Sequence, residues 1–198
     1  MRKKESTFLN MVLSLLAITL VAGFSLGYVN ELTIGPKAEA KLAKKMAALQ
    51  MVLPEFDNDL VSAAIWVPLE KTNDSTEIYP AFKEGTFVGA AVIGTSERGY
   101  SGTIKIMVGF EPNGNINDIV VLEQKETPGL GTKIKGDKFL RQFEGKDPAS
   151  FDLKVKKDGG EVDALTGATI TTRAFSEAVQ QAYDAFVKNK ESITNPKK

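Results

Sequence analysis

The stretch DALTGATITT, residues 163–172, gathers the hydroxyls of Thr166, Thr169, Thr171 and Thr172 around one glycine, Gly167. A loop that runs into a helix N-terminus offers unpaired backbone N–H groups and the positive end of the helix dipole, which favour an anion. Gly167 lets the backbone approach closely, and Thr166, Thr171 and Thr172 can donate hydrogen bonds or cap the helix. The chemistry within reach is phosphate binding. In the plainer alternative, Thr171 or Thr172 is an N-cap and the other threonines are ordinary loop residues.

A second candidate is KETPGLGTKIKG, residues 125–136. Pro128 fixes its own φ, while Gly129 and Gly131 permit backbone geometries that other residues resist, so the segment must turn. With Glu126 and Thr127 it suits a planar ligand held by backbone contacts, unless it is only a connection between strand and helix. Tyr100, two residues before Gly102, could stack on a ring or merely close a strand. Neither glycine-bearing loop matches a P-loop or a dinucleotide-binding G-x-G-x-x-G.

Composition narrows the chemistry. The 198 residues contain no cysteine and no histidine. That removes disulfides, thiolate nucleophiles, imidazole bases and the usual ligands of zinc or redox metals, so redox work here requires an organic cofactor. Lys plus Arg and Asp plus Glu both number 25. With no basic excess, nucleic acid is a poor partner.

Several elements must position these loops. Phe8 to Val29 carries no charge and is long enough to cross a bilayer as a helix. It is too long for the apolar region of a signal peptide, and its exit lacks a small-x-small cleavage site. Arg2, Lys3 and Lys4 on one flank and Glu31 on the other place the N-terminus in the cytoplasm and the rest outside it. Ala38, Leu42, Lys45/Met46, Leu49 and Val52/Leu53 recur at helical spacing up to Pro54, predicting an amphipathic helix that packs on the domain or stands as a solvated stalk.

Beyond it, alternation and turn residues predict antiparallel strands near 86–94, 101–110 and 116–124. A further strand is expected at Phe151–Val155, a short helix at Lys138–Phe143, and a final helix at Thr171–Lys188 with the apolar stripe Phe175, Ala178/Val179, Ala182 and Phe186. The fold class is α+β: an N-terminal transmembrane helix, then one domain with a mainly antiparallel sheet flanked by helices. The expected boundaries are 1–30 for the cytoplasmic N-terminus and span, 31–56 for the connecting helix, 57–190 for the extracytoplasmic domain, and 191–198 for a polar tail.

In its single span, its ETPGLG loop at Glu126–Gly131 and its Asp163–Thr169 motif, the chain resembles the FMN-binding G subunit of Rnf complexes, the ion-translocating ferredoxin:NAD oxidoreductases of bacterial membranes. The motif is similar to the family's Asp-x-x-Ser/Thr-Gly-Ala-Thr flavinylation signature, with Thr166 at the position that is often serine. The C subunit of the sodium-translocating NADH:quinone reductase has a similar flavin domain and is the nearest alternative. A reversible, non-redox binder of a phosphorylated ligand is a more distant one.

The resemblance implies that Thr169 carries FMN through a phosphoester, with Thr166, Gly167, Ala168 and Thr172 around the phosphate. It also implies that Glu126, Thr127, Gly129, Leu130, Gly131 and Tyr100 belong to the cofactor site, Glu126 and Asp163 chiefly as braces. No catalytic acid–base residue and no metal ligand is expected. The isolated chain is then an electron relay, and an oxidoreductase only as part of its complex. A threonine hydroxyl without an adjacent base is a poor nucleophile. The resemblance therefore implies a separate flavin transferase, using FAD and Mg²⁺, besides the other membrane subunits of the complex. The implied location is the bacterial cytoplasmic membrane with a periplasmic flavin domain.

Overall fold

The computed structural model describes residues 7–69 and 75–194. The cationic flank Arg2, Lys3 and Lys4 and the last residues of the polar tail lie outside the described residues. The chain divides into two compact units, residues 1–44 and 45–198. Helix α1, Phe8–Val52, continues through residue 30, where the sequence reading divides span from connecting helix. Pro36 lies inside it. In the first unit every residue from Thr7 to Leu32 is exposed, and the helix is long and apolar enough to cross a membrane. Leu42 of the expected amphipathic stripe is exposed as well.

The second unit is α+β, as the alternating pattern predicts. Five strands form a meander in the order β1-β2-β3-β4-β5: Ile65–Pro68, Ser75–Lys83, Thr86–Gly99, Gly102–Phe110 and Ile116–Glu123, every neighbour antiparallel. The last three are the strands expected from sequence. β1 and β2 are not anticipated, and Pro80 within β2 explains why, since proline argues against a central strand. Its position resolves the conflict. β1 ends its pairing at Ile65↔Ile78, so Pro80 faces β3 on one side and, among the described residues, meets no strand on the other. That open edge is closed by Asn58, which donates to the Pro80 carbonyl at 3.0 Å and accepts the Phe82 N–H at 2.8 Å.

Phe151–Val155 is not a strand. It contributes one isolated bridge, Val155↔Val162, with a 3₁₀ turn, Lys156–Asp158, between the bridged residues. Leu153, Val155 and Val162 are apolar because they plug the core, not because they alternate along a sheet.

Each face of the sheet carries a helix. On one lies α3, Thr169–Lys188, whose Phe175, Ala178, Val179, Ala182 and Phe186 are fully buried against Val92, Ile104, Ile106, Val108 and Phe110. The opposite face packs Ala48, Leu49 and Val52, the last turns of α1, onto Tyr79, Ala81, Ala91, Ile93 and Met107. A 3₁₀ helix, Gly131–Lys135, and the single-turn α2, Asp137–Leu140, follow β5, and a short α4, Lys190–Thr194, follows α3. Phe139 and Phe143 meet Phe175 with ring centroids 5.1 and 5.3 Å apart. Those aromatic contacts hold the segment after the ETPGLG loop against the first half of α3.

Candidate functional site

The turn Leu165–Ala168 is closed by the Ala168 N–H donating to the Leu165 carbonyl at 2.9 Å. Gly167 sits at φ 77°, in the third position of the turn, where a side chain would be strained. Thr172 locks this turn from below: its hydroxyl accepts the Leu165 N–H at 3.1 Å and donates to the Ala168 carbonyl at 3.0 Å, fully buried. Thr171 is also buried. Neither is the N-cap that the plainer sequence reading proposed; the cap is Ala168, with no side-chain hydrogen bond. Thr169 is the first residue of α3 and half-buried, while Thr166 and Gly167 are exposed. With no side chain capping the helix, its first N–H groups stay available to an anion, which fits a phosphate held at this turn.

The second loop meets the first. In Thr127–Thr132, the Thr127 carbonyl accepts the Leu130 N–H at 3.2 Å and the Thr132 N–H at 3.3 Å, and the Gly129 N–H donates to the Thr132 hydroxyl at 3.0 Å. Gly129 takes φ 75° at the exposed tip. Leu130 reaches across so that a β-carbon on Gly167 would lie 3.3 Å from its Cδ2, although the leucine stays 43% exposed. A half-exposed apolar side chain over a helix-capping turn can cover the apolar part of a ligand whose anionic end sits on the helix.

Glu126 ties the two loops together. It is only 4% exposed; its Oε2 accepts the Thr171 hydroxyl at 2.6 Å and its Oε1 the Ser101 N–H at 3.0 Å. Gly131 is required beside it, because a β-carbon there would approach the carboxylate to 2.7 Å. Ser101 follows Tyr100, which is 69% exposed in the β3–β4 turn, so this turn joins the site through the same carboxylate. Asp163 pairs with Lys156 at 2.8 Å, and its N–H donates to Gln142 Oε1 at 2.8 Å, bracing the entry to the turn. Arg173, one turn beyond Thr169, forks onto Asp158 at 2.7 and 2.8 Å and holds that carboxyl below its ordinary range through these hydrogen bonds.

The structure thus gathers Thr166, Gly167, Ala168, Thr169 and Thr172 in one turn, Leu130 and Gly131 beside it, and Glu126 beneath. Thr127 and Gly129 shape the neighbouring loop, and Tyr100 joins only through Ser101. Sequence reasoning misses Ser101 and Gln142, whose roles rest on a backbone N–H and a long-range side-chain contact. It names Thr171 but not its partner.

This arrangement belongs to a class. Residues 99–184 match the FMN-binding domain family, a span that includes both loops, the β3–β4 turn and most of α3. Over nearly the whole chain the relatives are more specific. The G subunit of the ion-translocating oxidoreductase complex of Aliivibrio fischeri strain MJ11 is 38% identical, covering 87% of this chain and 86% of that protein. The protein of the same name from Shewanella baltica strain OS223 is 35% identical over 96% of this chain and 92% of its own length. The chain belongs to this G-subunit family. Among solved structures, NqrC of Shewanella oneidensis is 26% identical over 70% of this chain and 73% of its own, with a TM-score of 0.46.

Proposed function

We propose that this chain is a membrane-anchored electron-transfer subunit of an ion-translocating oxidoreductase complex, with FMN esterified through its phosphate to Thr169. One observation carries the attachment site: Thr169 opens α3 at a turn whose capping residue, Ala168, leaves the first helical N–H groups without a side-chain acceptor. The names of the relatives support the complex, and the FMN-binding family supports the cofactor.

The chain's residues hold and orient. Gly167 and Ala168 shape the turn, Thr172 keeps it closed, and the N–H groups of the first turn of α3 would hold the phosphodiester charge. Leu130 covers the apolar side of the site, with Thr127, Gly129 and Gly131 setting its loop and Tyr100 on the outer rim. Thr166, exposed in the same turn, would lie at the rim of the phosphate site. When bound, the flavin supplies the one- and two-electron chemistry that no side chain here can provide.

Attachment requires a transferase. Thr169 would supply the hydroxyl that is esterified, and because no base adjoins it in this chain the transferase would have to supply the base and an FMN donor with a nucleotide leaving group. In the organisation we propose, residues 1–30 are cytoplasmic N-terminus and span, 31–56 the connecting helix, whose last turns pack on the sheet, and 57–190 the periplasmic flavin domain, which α4 and its buried Ile193 extend into the segment 191–198 that the sequence reads as a tail. A tether keeps the site loaded where a dissociated flavin would be diluted away.

The test is intact mass and in-gel flavin fluorescence of the denatured full-length chain, produced with a flavin transferase, with peptide mapping. An FMN-sized adduct on Thr169, lost in Thr169→Val with the fold retained, is the expected result. An unmodified wild-type chain sinks the proposal and favours reversible binding of a phosphorylated ligand.

A further inference from the structure

The most unusual group near the attachment turn is the Glu126 carboxylate. It is almost wholly buried, yet among the described residues it forms no ion pair; its oxygens are met by the Thr171 hydroxyl and the Ser101 N–H. A carboxylate removed from water needs such donors, and one whose partners are deleted is strongly unfavourable. Here both donors belong to other segments: Ser101 to the β3–β4 turn, Thr171 to the first turn of α3. The surroundings are cut to fit the carboxylate. At Gly99 a β-carbon would lie 2.8 Å from Oε1, and at Gly131 2.7 Å from Oε2.

We infer that Glu126 is a positioning residue for flavin attachment, acting through Thr171 to hold the first turn of α3 so that the Thr169 hydroxyl is presented to the transferase. This rests on the reading of Thr169 as the attachment site. Thr171 lies two residues after Thr169, so a hydrogen bond fixing its side chain also fixes the rotation and pitch of the turn that begins with Thr169. Thr172 closes the preceding turn from within its own segment. Among the described residues, Glu126 alone connects that first turn to the ETPGLG loop by a side-chain hydrogen bond, across 45 residues of sequence. The negative charge is also well placed electrostatically, beside the positive end of the α3 dipole. With both oxygens engaged below the surface, Glu126 serves to hold Thr171, not to take the Thr169 proton. A misplacement of about 1 Å in a reacting group can slow a step by about a hundredfold, so a brace outside the chemistry can govern its rate.

The experiment uses the full-length chain in detergent with flavin transferase, FAD and Mg²⁺, following covalent flavin per chain against time on denatured samples. Glu126→Ala and Thr171→Val are expected to slow labelling by about tenfold or more, equivalent to about 1.4 kcal/mol in the barrier. The double variant should be no slower than the slower single one, because both remove the same hydrogen bond. Thr171→Ser keeps the hydroxyl and should label within about twofold of wild type. Val179→Ala, a core change in the same helix that lowers stability, should label at the wild-type rate.

Wild-type rates in Glu126→Ala and Thr171→Val overturn the inference. So does equal slowing in Val179→Ala, which would reduce Glu126 to a general stability role. If Glu126→Ala does not fold, the contrast of Thr171→Val with Thr171→Ser decides the matter alone. A wild-type chain that never labels at Thr169 is a different failure: it removes the attachment reading, and this inference with it.

Discussion

The two faces of the sheet are built alike and used differently. Each docks a helix against a strand glycine. On the α3 face a β-carbon at Gly94 would be driven into the Ala178 carbonyl oxygen, and on the other face one at Gly109 would strike the Val52 carbonyl oxygen. Each helix is also tied down by a carboxylate. On the α1 face Glu77 is neutralised by Lys45 at 2.6 Å, with the Tyr79 hydroxyl joined to both. At the start of α3, Glu126 has, among the described residues, only neutral donors. An ion pair anchors a helix wherever the two long side chains can meet. A lone carboxylate among neutral donors is more demanding, because every donor must be in place, and it sits where the position of one hydroxyl matters.

The strongest way to break this comparison is through the glycines. Gly94→Ala and Gly109→Ala should each destabilise the domain by about 3 kcal/mol or more, since helix backbone cannot yield as a side-chain tip can. Thermal unfolding measures that, and the two should separate on function. Gly94→Ala moves the helix that bears Thr169 and should lose covalent flavin, whereas Gly109→Ala should keep it at temperatures where the domain is folded. Equal loss in both would mean that the faces are not independent.

The carboxylates come next. Lys45→Met leaves Glu77 partly buried and without its ion pair and should lower stability by about 1–2 kcal/mol, while Lys45→Met with Glu77→Leu should recover most of that, as replaced ion pairs often do. Neither should alter flavin labelling. If labelling falls with Lys45→Met, the contrast between the carboxylates is lost.

The smallest effect is at the exposed pair Arg173–Asp158. The guanidinium lowers the Asp158 carboxyl from its usual 3.8. A depressed carboxyl stabilises the fold above its unfolded value, and that contribution is lost as pH falls through the folded value. Unfolding midpoints compared at pH 7 and in acid should differ slightly less in Asp158→Asn than in wild type. Because the pair is open to water, salt should shrink the difference further.

Much of the site was legible before the fold. The ETPGLG loop announced its turn by Pro128 and its glycines, whereas Gly167 was legible as a point of close backbone approach and only the structure puts it at the positive-φ third position of a turn. Thr171 and Thr172 misled, since hydroxyls at a helix start resemble caps, and only burial and their long-range partners assign them inward roles. β2 was hidden by Pro80, which is harmless only because β1 stops short of it and Asn58 fills the gap.

By itself the sequence determined what depends on neighbours along the chain. The uncharged run Phe8–Val29 makes a helix apolar on every side, the 3.6-residue stripe makes α3 one-faced, and short polar turns make successive strands antiparallel. Tertiary structure alone decided what depends on pairs distant in sequence: Glu126 with Thr171, Leu130 over Gly167, and helix backbone seated on Gly94 and Gly109. Periodicity along a chain says which face of an element is buried. What that face meets is set only when the elements pack, because close contact between backbone and side chain is a property of the assembled core.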